Sequence, residues 1–335
     1  MIHSWNVELW RRLHAGPGVS TGAVLLTGPK GVGKRAFARA LAQGMLCVNR
    51  QAGGEGCGVC MSCRLTAAGG HPDFRVLEPL VDEANAEFDG VSSSPKREGG
   101  SVLVGQVRAL SDFLVLASQL GGAKVVLIQP ADRLHPSAAG ALLKTLEEPP
   151  SRTLFILVAD AVQRIPATIR SRCFRLDFSL PPRKTALDWL ATEGVAQADV
   201  VLAQSGFAPL SAVELGRGEF VNRRRMLSNL LLSPSVNAAE LAAAVDAGEL
   251  RMLCELLQRW CYDLLSLRLA RRVRYNPDYA EKLRWIADNA DVHRLQSLIR
   301  ELGTAAGALE HPLNPRLVIE QLAIQYTRMV SRQQA

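Results

Sequence analysis

Ala23-Val24-Leu25-Leu26-Thr27-Gly28-Pro29-Lys30-Gly31-Val32-Gly33-Lys34-Arg35-Ala36-Phe37-Ala38-Arg39-Ala40-Leu41 decides the fold. An apolar run of strand length ends in a glycine-rich turn, and a helical pattern follows at once. Gly28 to Lys34 fits G-x-x-x-x-G-K, and a strand before with a helix after is the context that makes this pattern a phosphate loop. Glycines let backbone N–H groups converge on phosphate oxygens, the helix N-terminus adds positive potential, and Lys34 adds a charge.

Working outward, Val125-Val126-Leu127-Ile128 and Leu154-Phe155-Ile156-Leu157-Val158 are two more continuous apolar runs, as strands buried on both faces require. Residues 23–178 therefore read as an α/β unit, a parallel sheet with crossover helices. An interruption from Val81 to Ser101, containing Ser92-Ser93-Ser94-Pro95-Lys96-Arg97, reads as a surface loop. Past Pro181-Pro182 the pattern becomes helical; Leu253, Leu256, Leu257, Trp260, Leu264 and Leu265 form one apolar stripe. A chain of 335 residues accommodates two or three domains. The expected division is 1–179 for the phosphate-loop domain, 180–221 for a small helical unit and 222–335 for a larger helical domain.

The net charge of +7 tolerates an anionic partner, though helical proteins also carry arginine on solvated faces. No apolar run is long enough to span a membrane. Met1-Ile2-His3-Ser4-Trp5-Asn6 has no basic segment followed by an apolar core, so no signal peptide is expected and the location is expected to be cytoplasmic.

Activity is a separate matter from ancestry. In working phosphate-loop enzymes a Ser or Thr after the lysine holds Mg²⁺, with an acidic residue at a strand end as second support. Here Arg35 follows Lys34, and the second strand runs out through Gln129-Pro130-Ala131-Asp132. Arg35 cannot ligate a cation, Gln129 has no anionic oxygen, and Pro130 cannot activate water. Asp132 lies too far past the strand to be the expected substitute. Slow or absent hydrolysis follows from two losses in one site.

Cys47, Cys57, Cys60 and Cys63 account for four of the seven cysteines. Two overlapping C-x-x-C steps beside Gly56 and Gly58 suit a tetrahedral knuckle, and four thiolates leave no open position for water. A structural zinc is the expectation, with redox use of C-x-x-C as the rival. Few basic or aromatic residues flank the cluster, which favours bracing of the helix after the phosphate loop over contact with nucleic acid. Cys173, Cys254 and Cys261 read as buried free thiols, and His71 as a turn residue.

Basic clusters at Arg223-Arg224-Arg225 and at Arg268, Arg271, Arg272 and Arg274 are candidates to face DNA. Solvated faces or contacts to acidic neighbours are the competing reading, on the expectation that no aromatics interleave with them.

Taken together, Gly28 to Arg35, the four-cysteine knuckle, His71-Pro72-Asp73-Phe74, Gly121-Gly122-Ala123-Lys124-Val125-Val126, Ala141-Leu142-Leu143-Lys144-Thr145-Leu146-Glu147-Glu148-Pro149-Pro150 and Ser171-Arg172-Cys173 resemble one family. Gly206-Phe207-Ala208-Pro209-Leu210-Ser211 and Leu313-Asn314-Pro315-Arg316-Leu317 extend the match into the helical parts. The chain resembles the delta-prime subunits of bacterial DNA polymerase III clamp loaders, within the AAA+ superfamily.

The resemblance implies an AAA+ phosphate-loop domain with the zinc knuckle inserted at 47–63, a helical lid and an all-helical collar. It implies a stator in a ring with ATPase subunits and a clamp-opening subunit, reaching the sliding clamp and primer–template DNA through the complex. Arg172 would be presented in trans to ATP on the adjacent ATPase subunit, where its planar fork neutralises transition-state charge. Ser211 stands where ATPase relatives carry a sensing arginine. Gly28, Gly31, Gly33 and Lys34 form a degenerate phosphate cradle, compatible with phosphate or ADP held without turnover. An active AAA+ motor subunit and a DNA-binding zinc protein with a vestigial loop are the alternative readings.

Overall fold

Five strands form one all-parallel sheet: β1 (Ala23–Thr27), β2 (Phe74–Leu77), β3 (Lys124–Ile128), β4 (Thr153–Ala159) and β5 (Phe174–Asp177), in the order β2-β3-β4-β1-β5. The structure, a computed structural model, describes residues 2–16, 22–79, 100–233, 237–308 and 314–330. Of the interruption from Val81 to Ser101, residues 81–99 lie outside the described residues, as does Leu313. The chain forms two compact units, Met1–Pro181 and Pro182–Ala335.

In the first unit every residue of β1, β3 and β4 is buried, as their continuous apolar runs require. β2 and β5 are the two strands that no apolar run announces. Phe74-Arg75-Val76-Leu77 and Phe174-Arg175-Leu176-Asp177 carry charge and are partly exposed, because they are the sheet edges. Helices α1 (Val7–Ala15), α2 (Lys34–Leu46), α3 (Met61–Ala68), α4 (Val104–Val115), α5 (Pro136–Glu147) and α6 (Ala167–Arg170) complete the unit. Leu110 and Leu142 of α4 and α5 join Leu25, Val126 and Phe155 in one core cluster. Elsewhere, Phe37 of α2 meets Trp10 and Phe178 edge-on, with ring centroids 5.1 and 5.0 Å away. This is the α/β architecture expected, a parallel sheet with crossover helices. The register pairs Thr27 with Ala159, so Gly28 and Asp160 leave the sheet side by side at the carboxyl ends of β1 and β4, where open α/β sheets bind ligands.

Asp73 explains the His71-Pro72-Asp73-Phe74 turn. Its buried carboxylate accepts hydrogen bonds from the Ser118 hydroxyl (2.9 Å) and from the N–H groups of Gln119 (2.8 Å) and Leu120 (3.0 Å). His71 Nδ1 in turn accepts the Asp73 N–H at 3.0 Å. Burial acts to raise the Asp73 pKa, but the three donors outweigh it and hold the carboxyl below its ordinary value. A folded pKa below the unfolded one means stability present above the unfolded pKa and lost as pH falls through the folded one. Asp73→Asn is expected to cost about 1–3 kcal/mol at neutral pH. Urea melts at pH 7 and at pH 3 should show that gap shrinking in acid, below about pH 4; a gap equal at both would refute the role of the charge.

The second unit is wholly helical among the described residues: α7 (Arg183–Thr192), α8 (Ala198–Gln204), α9 (Pro209–Gly216), α10 (Phe220–Leu231), α11 (Ala238–Ala243), α12 (Leu250–Ala270), α13 (Ala280–Asn289), α14 (Val292–Ala308) and α15 (Pro315–Val330). One cluster gathers Ala186, Leu190, Val201, Leu202, Ala212 and Val213. A second, larger one surrounds Trp260, whose indole N–H donates to the Tyr326 hydroxyl (3.1 Å), which donates to the Leu231 carbonyl (2.8 Å). Leu253, Leu256, Leu257 and Leu264 of the α12 stripe are buried in it, and Leu265 packs against it partly exposed.

A buried polar joint links α8, α10 and α12. Fully buried Asp263 accepts from the N–H groups of Arg274, Tyr275 and Asn276 and from the Asn276 side chain. The Asn276 amide oxygen takes bonds from Gln204 (3.0 Å) and Arg224 (2.9 Å). Arg224 also grips Asp278 with both terminal nitrogens, at 2.7 and 2.8 Å. No helix among the described residues is long and apolar enough to cross a membrane.

Candidate functional site

The phosphate loop leaves β1 at Gly28, whose φ of +139° and lack of a side chain are both needed: a Cβ there would lie 2.3 Å from the Phe178 carbonyl oxygen. Gly33, at φ +99°, caps the start of α2. The loop is stitched to the N-terminal segment. The Trp5 indole N–H and the Asn6 amide donate to the Val32 carbonyl at 3.0 and 2.9 Å. Neither residue has a signature in the sequence, because the contact spans more than two dozen positions.

Lys34 is 4% exposed. Its ammonium donates to the carbonyls of Gly28 (2.5 Å) and Pro29 (2.6 Å) and pairs with Asp160 Oδ1 at 2.7 Å. Burial lowers its pKa, partly offset by Asp160. Asp160 is held in turn, its N–H donating to Asp132 Oδ1 at 3.1 Å. Asp132, the acid weighed as a replacement metal support, is thus engaged at the end of β4.

Arg35 is exposed beside Lys34. Gln129 is buried, and its side-chain amide donates to Glu78 Oε1 at 2.8 Å. Ser211 lies in the first turn of α9.

Arg172 follows α6 and is one-third exposed. Its Nε donates to Glu147 Oε1 at 2.7 Å, and its Nη2 reaches the same oxygen. Nη1 donates to the Thr168 carbonyl (2.9 Å) and the Ser171 hydroxyl (3.2 Å). The last turn of α5, from the Leu146-Glu147-Glu148-Pro149-Pro150 stretch, therefore orients a guanidinium at the surface. Among the described residues its partners are these three and not the phosphate loop.

The four knuckle thiols converge. Their Sγ atoms all lie within 4.8 Å of one another, with Cys47 and Cys60 3.8 Å apart. A tetrahedral ion with metal–sulfur bonds of about 2.3 Å needs sulfurs about 3.8 Å apart, so the donor set fits a thiophilic divalent metal. Backbone N–H groups point at three of the sulfurs: Cys57 to Cys47 (3.2 Å), Cys60 to Cys57 (3.4 Å) and Cys63 to Cys60 (3.4 Å). Such donors favour thiolates. The Val59 and Cys60 N–H groups lower the Cys57 pKa, and the Cys63 N–H brings Cys60 down to about 6. Burial pushes Cys63 up to about 12. The knuckle leans on α2 backbone to backbone: a Cβ on Gly44 would meet the Gly54 oxygen at 2.2 Å. The Trp10 indole ties Gly53 to α1 at 2.7 Å. Cys254 and Cys261 are buried, and burial raises Cys173 and Cys261 to about 12 and Cys254 to about 11.

The basic clusters are largely committed. Arg223 binds Glu249 and the Ala244 carbonyl, and Arg224 is in the polar joint. Arg271 pairs with Asp288 at 2.7 Å, and Arg268 reaches the Asp288 carbonyl. The expectation that no aromatics accompany these arginines needs correcting: Arg274 lies over the rings of Phe207 and Tyr275. Tyr275 is the next residue in the chain and stands in plain view, whereas Phe207 arrives from the α8–α9 connection and is hidden from any reading of chain neighbours.

Comparison with known proteins sets relatives beside this geometry. The family model described as DNA polymerase III, delta subunit, matches residues 11–182. A DNA polymerase III subunit delta-prime of Pseudomonas aeruginosa is 37% identical over 275 residues, covering 80% of this chain and 78% of that protein. That of Escherichia coli is 31% identical over 285 residues, covering 84% and 80%. Among solved structures, a DNA polymerase III gamma subunit-related protein from Thermotoga maritima overlays with a TM-score of 0.47 at 17% identity, covering 97% of this chain and 100% of that one. Strand order and loop, not this overlay, carry the fold.

Proposed function

The chain belongs to the family of DNA polymerase III delta-prime subunits, clamp-loader components, and from that premise we propose that it is the non-hydrolysing stator of its loader, lending Arg172 in trans to the ATP of an adjacent ATPase subunit. One observation carries the reading. The metal-supporting and water-activating positions of its own phosphate loop hold Arg35, Gln129 and Pro130, while Arg172 stands oriented at the surface by Glu147, Thr168 and Ser171.

In this reading the subunit's own loop does no chemistry. Arg172 exchanges Glu147 for the γ-phosphate of a neighbour's ATP, a swap made easy because a half-exposed ion pair is worth only about 0.2–1 kcal/mol. Its fork then neutralises charge that develops as the phosphoryl group leaves. The partners are the ATPase and clamp-opening subunits, with sliding clamp and primer–template DNA reached through the complex, in the cytoplasm. The separate hydrophobic clusters of the second unit support a lid over 180–221 and a collar over 222–335, after an AAA+ domain over 1–179. Cys47, Cys57, Cys60 and Cys63 hold a structural zinc that braces α2 and, through it, the loop.

The test is co-purification with candidate loader subunits, then ATPase assay with and without this chain. The isolated chain should show no Mg²⁺-dependent turnover, and its addition should raise turnover of the assembled ATPase subunits. Turnover by the chain alone, abolished by Lys34→Ala, would instead establish an active motor subunit. Tight, salt-dependent DNA binding by the chain alone, lost with the zinc ligands, would favour the DNA-binding reading.

A further inference from the structure

We infer that Asp160 determines what the phosphate loop accepts: its carboxylate takes the place of a phosphate on Lys34, and this one residue keeps the loop closed to phosphate ligands. The inference rests on reading 28–34 as a phosphate loop and is independent of Arg172.

An ammonium has three N–H donors. All three of Lys34 are accounted for, by the Gly28 carbonyl, the Pro29 carbonyl and Asp160 Oδ1, at 2.5, 2.6 and 2.7 Å. The lysine side chain is 3% exposed, so no water-facing hydrogen is left over for an incoming oxygen. Asp160 is exposed, its side chain 37% accessible, but its backbone fixes where the carboxylate stands. Register places it beside Gly28, at the end of β4, and its own N–H is fixed on Asp132. A phosphate approaching Lys34 would have to displace a carboxylate already in contact and then share the pocket with it. Asp132 adds a second negative charge acting on Lys34, and Arg35 is exposed rather than folded over the loop. Like charges brought together in this way repel. The loop thus keeps the shape of an anion cradle while supplying its own anion.

The probes are Mg²⁺-free ADP and inorganic pyrophosphate, titrated calorimetrically into the full-length chain at low salt. The wild type should not saturate at millimolar ligand. Asp160→Asn removes the charge but keeps the shape, and should bind at least about tenfold tighter. Asp160→Ala, which vacates the position, should gain similarly and serves if the Asn variant folds poorly. Adding Lys34→Ala to either should abolish the gain, which ties it to the freed ammonium. Micromolar binding by the wild type would overturn the inference, as would an Asn or Ala variant that melts normally yet binds no better. Stimulation of neighbouring ATPase subunits through Arg172 is read in a separate assay, so failure there leaves this result standing, and the reverse.

Discussion

Arg172→Ala is expected to slow ATP turnover at the neighbouring site by on the order of 10³-fold, the scale of a lost trans arginine, with the complex still assembled. The size follows from where the charge acts. At the surface of its own subunit the guanidinium gives little: its ion pair with half-exposed Glu147 is of the kind worth at most about 1 kcal/mol. Folding and co-purification should therefore be unchanged. Against a γ-phosphate in a closed intersubunit site, the same planar fork meets charge that grows toward the transition state, in a medium that screens it weakly. Arg172→Lys keeps the charge and loses the fork, and should recover only part of the rate. The measurement needs a reconstituted loader whose other ATP sites are disabled, with gel filtration to confirm assembly. Normal turnover in the alanine variant would remove the trans-arginine role.

Cys60→Ser should have the largest effect on the protein itself. Elemental analysis of the wild type should find about one zinc per chain, and the variant should lose it. Cys60 holds a central place in the knuckle: it lies 3.8 Å from Cys47, accepts the Cys63 N–H and caps α3. Metal binding is folding energy where the surrounding polypeptide has little core of its own. Exposed Val48, Val59 and Met61 show that the knuckle buries little apolar surface. Stability should fall by on the order of 4 kcal/mol, within the range that metal loss can reach. Hydrogen exchange should localise the damage to 47–63 and to the face of α2 around Gly44. A variant that keeps its metal would remove Cys60 from the ligand set, and wild type that contains none when prepared without chelator would return the cluster to redox chemistry.

Much of the fold was legible because burial on both faces leaves a continuous apolar run, and β1, β3 and β4 each carry one. The sheet edges were not. Four residues with an arginine among them, Phe74-Arg75-Val76-Leu77 or Phe174-Arg175-Leu176-Asp177, read equally well as loop, and only pairing to β3 or β1 makes them strands. The thiol cluster was legible for a local reason, since all four ligands fall within one short stretch. Charge partners were not legible. Arg223 and Arg224 look alike in sequence, yet one grips Glu249 and the other Asp278, 26 and 54 residues away. The same holds for Lys34, whose cationic role could be read from its motif while its actual counter-ion, Asp160, could not.

The joint of Asp263, Asn276, Gln204 and Arg224 has a mechanical side. To swivel α8 against α12, the chain must break the two bonds of the buried Gln204 amide, to the Tyr275 carbonyl and the Asn276 side chain, at about 0.5–1.5 kcal/mol each. Asn276 shares its partners among three helices, so the same side chain holds α8, α10 and α12. The joint therefore acts as a key between the small helical cluster and the large one, with Gln204 the tooth on the α8 side and Asp263 the slot on the α12 side.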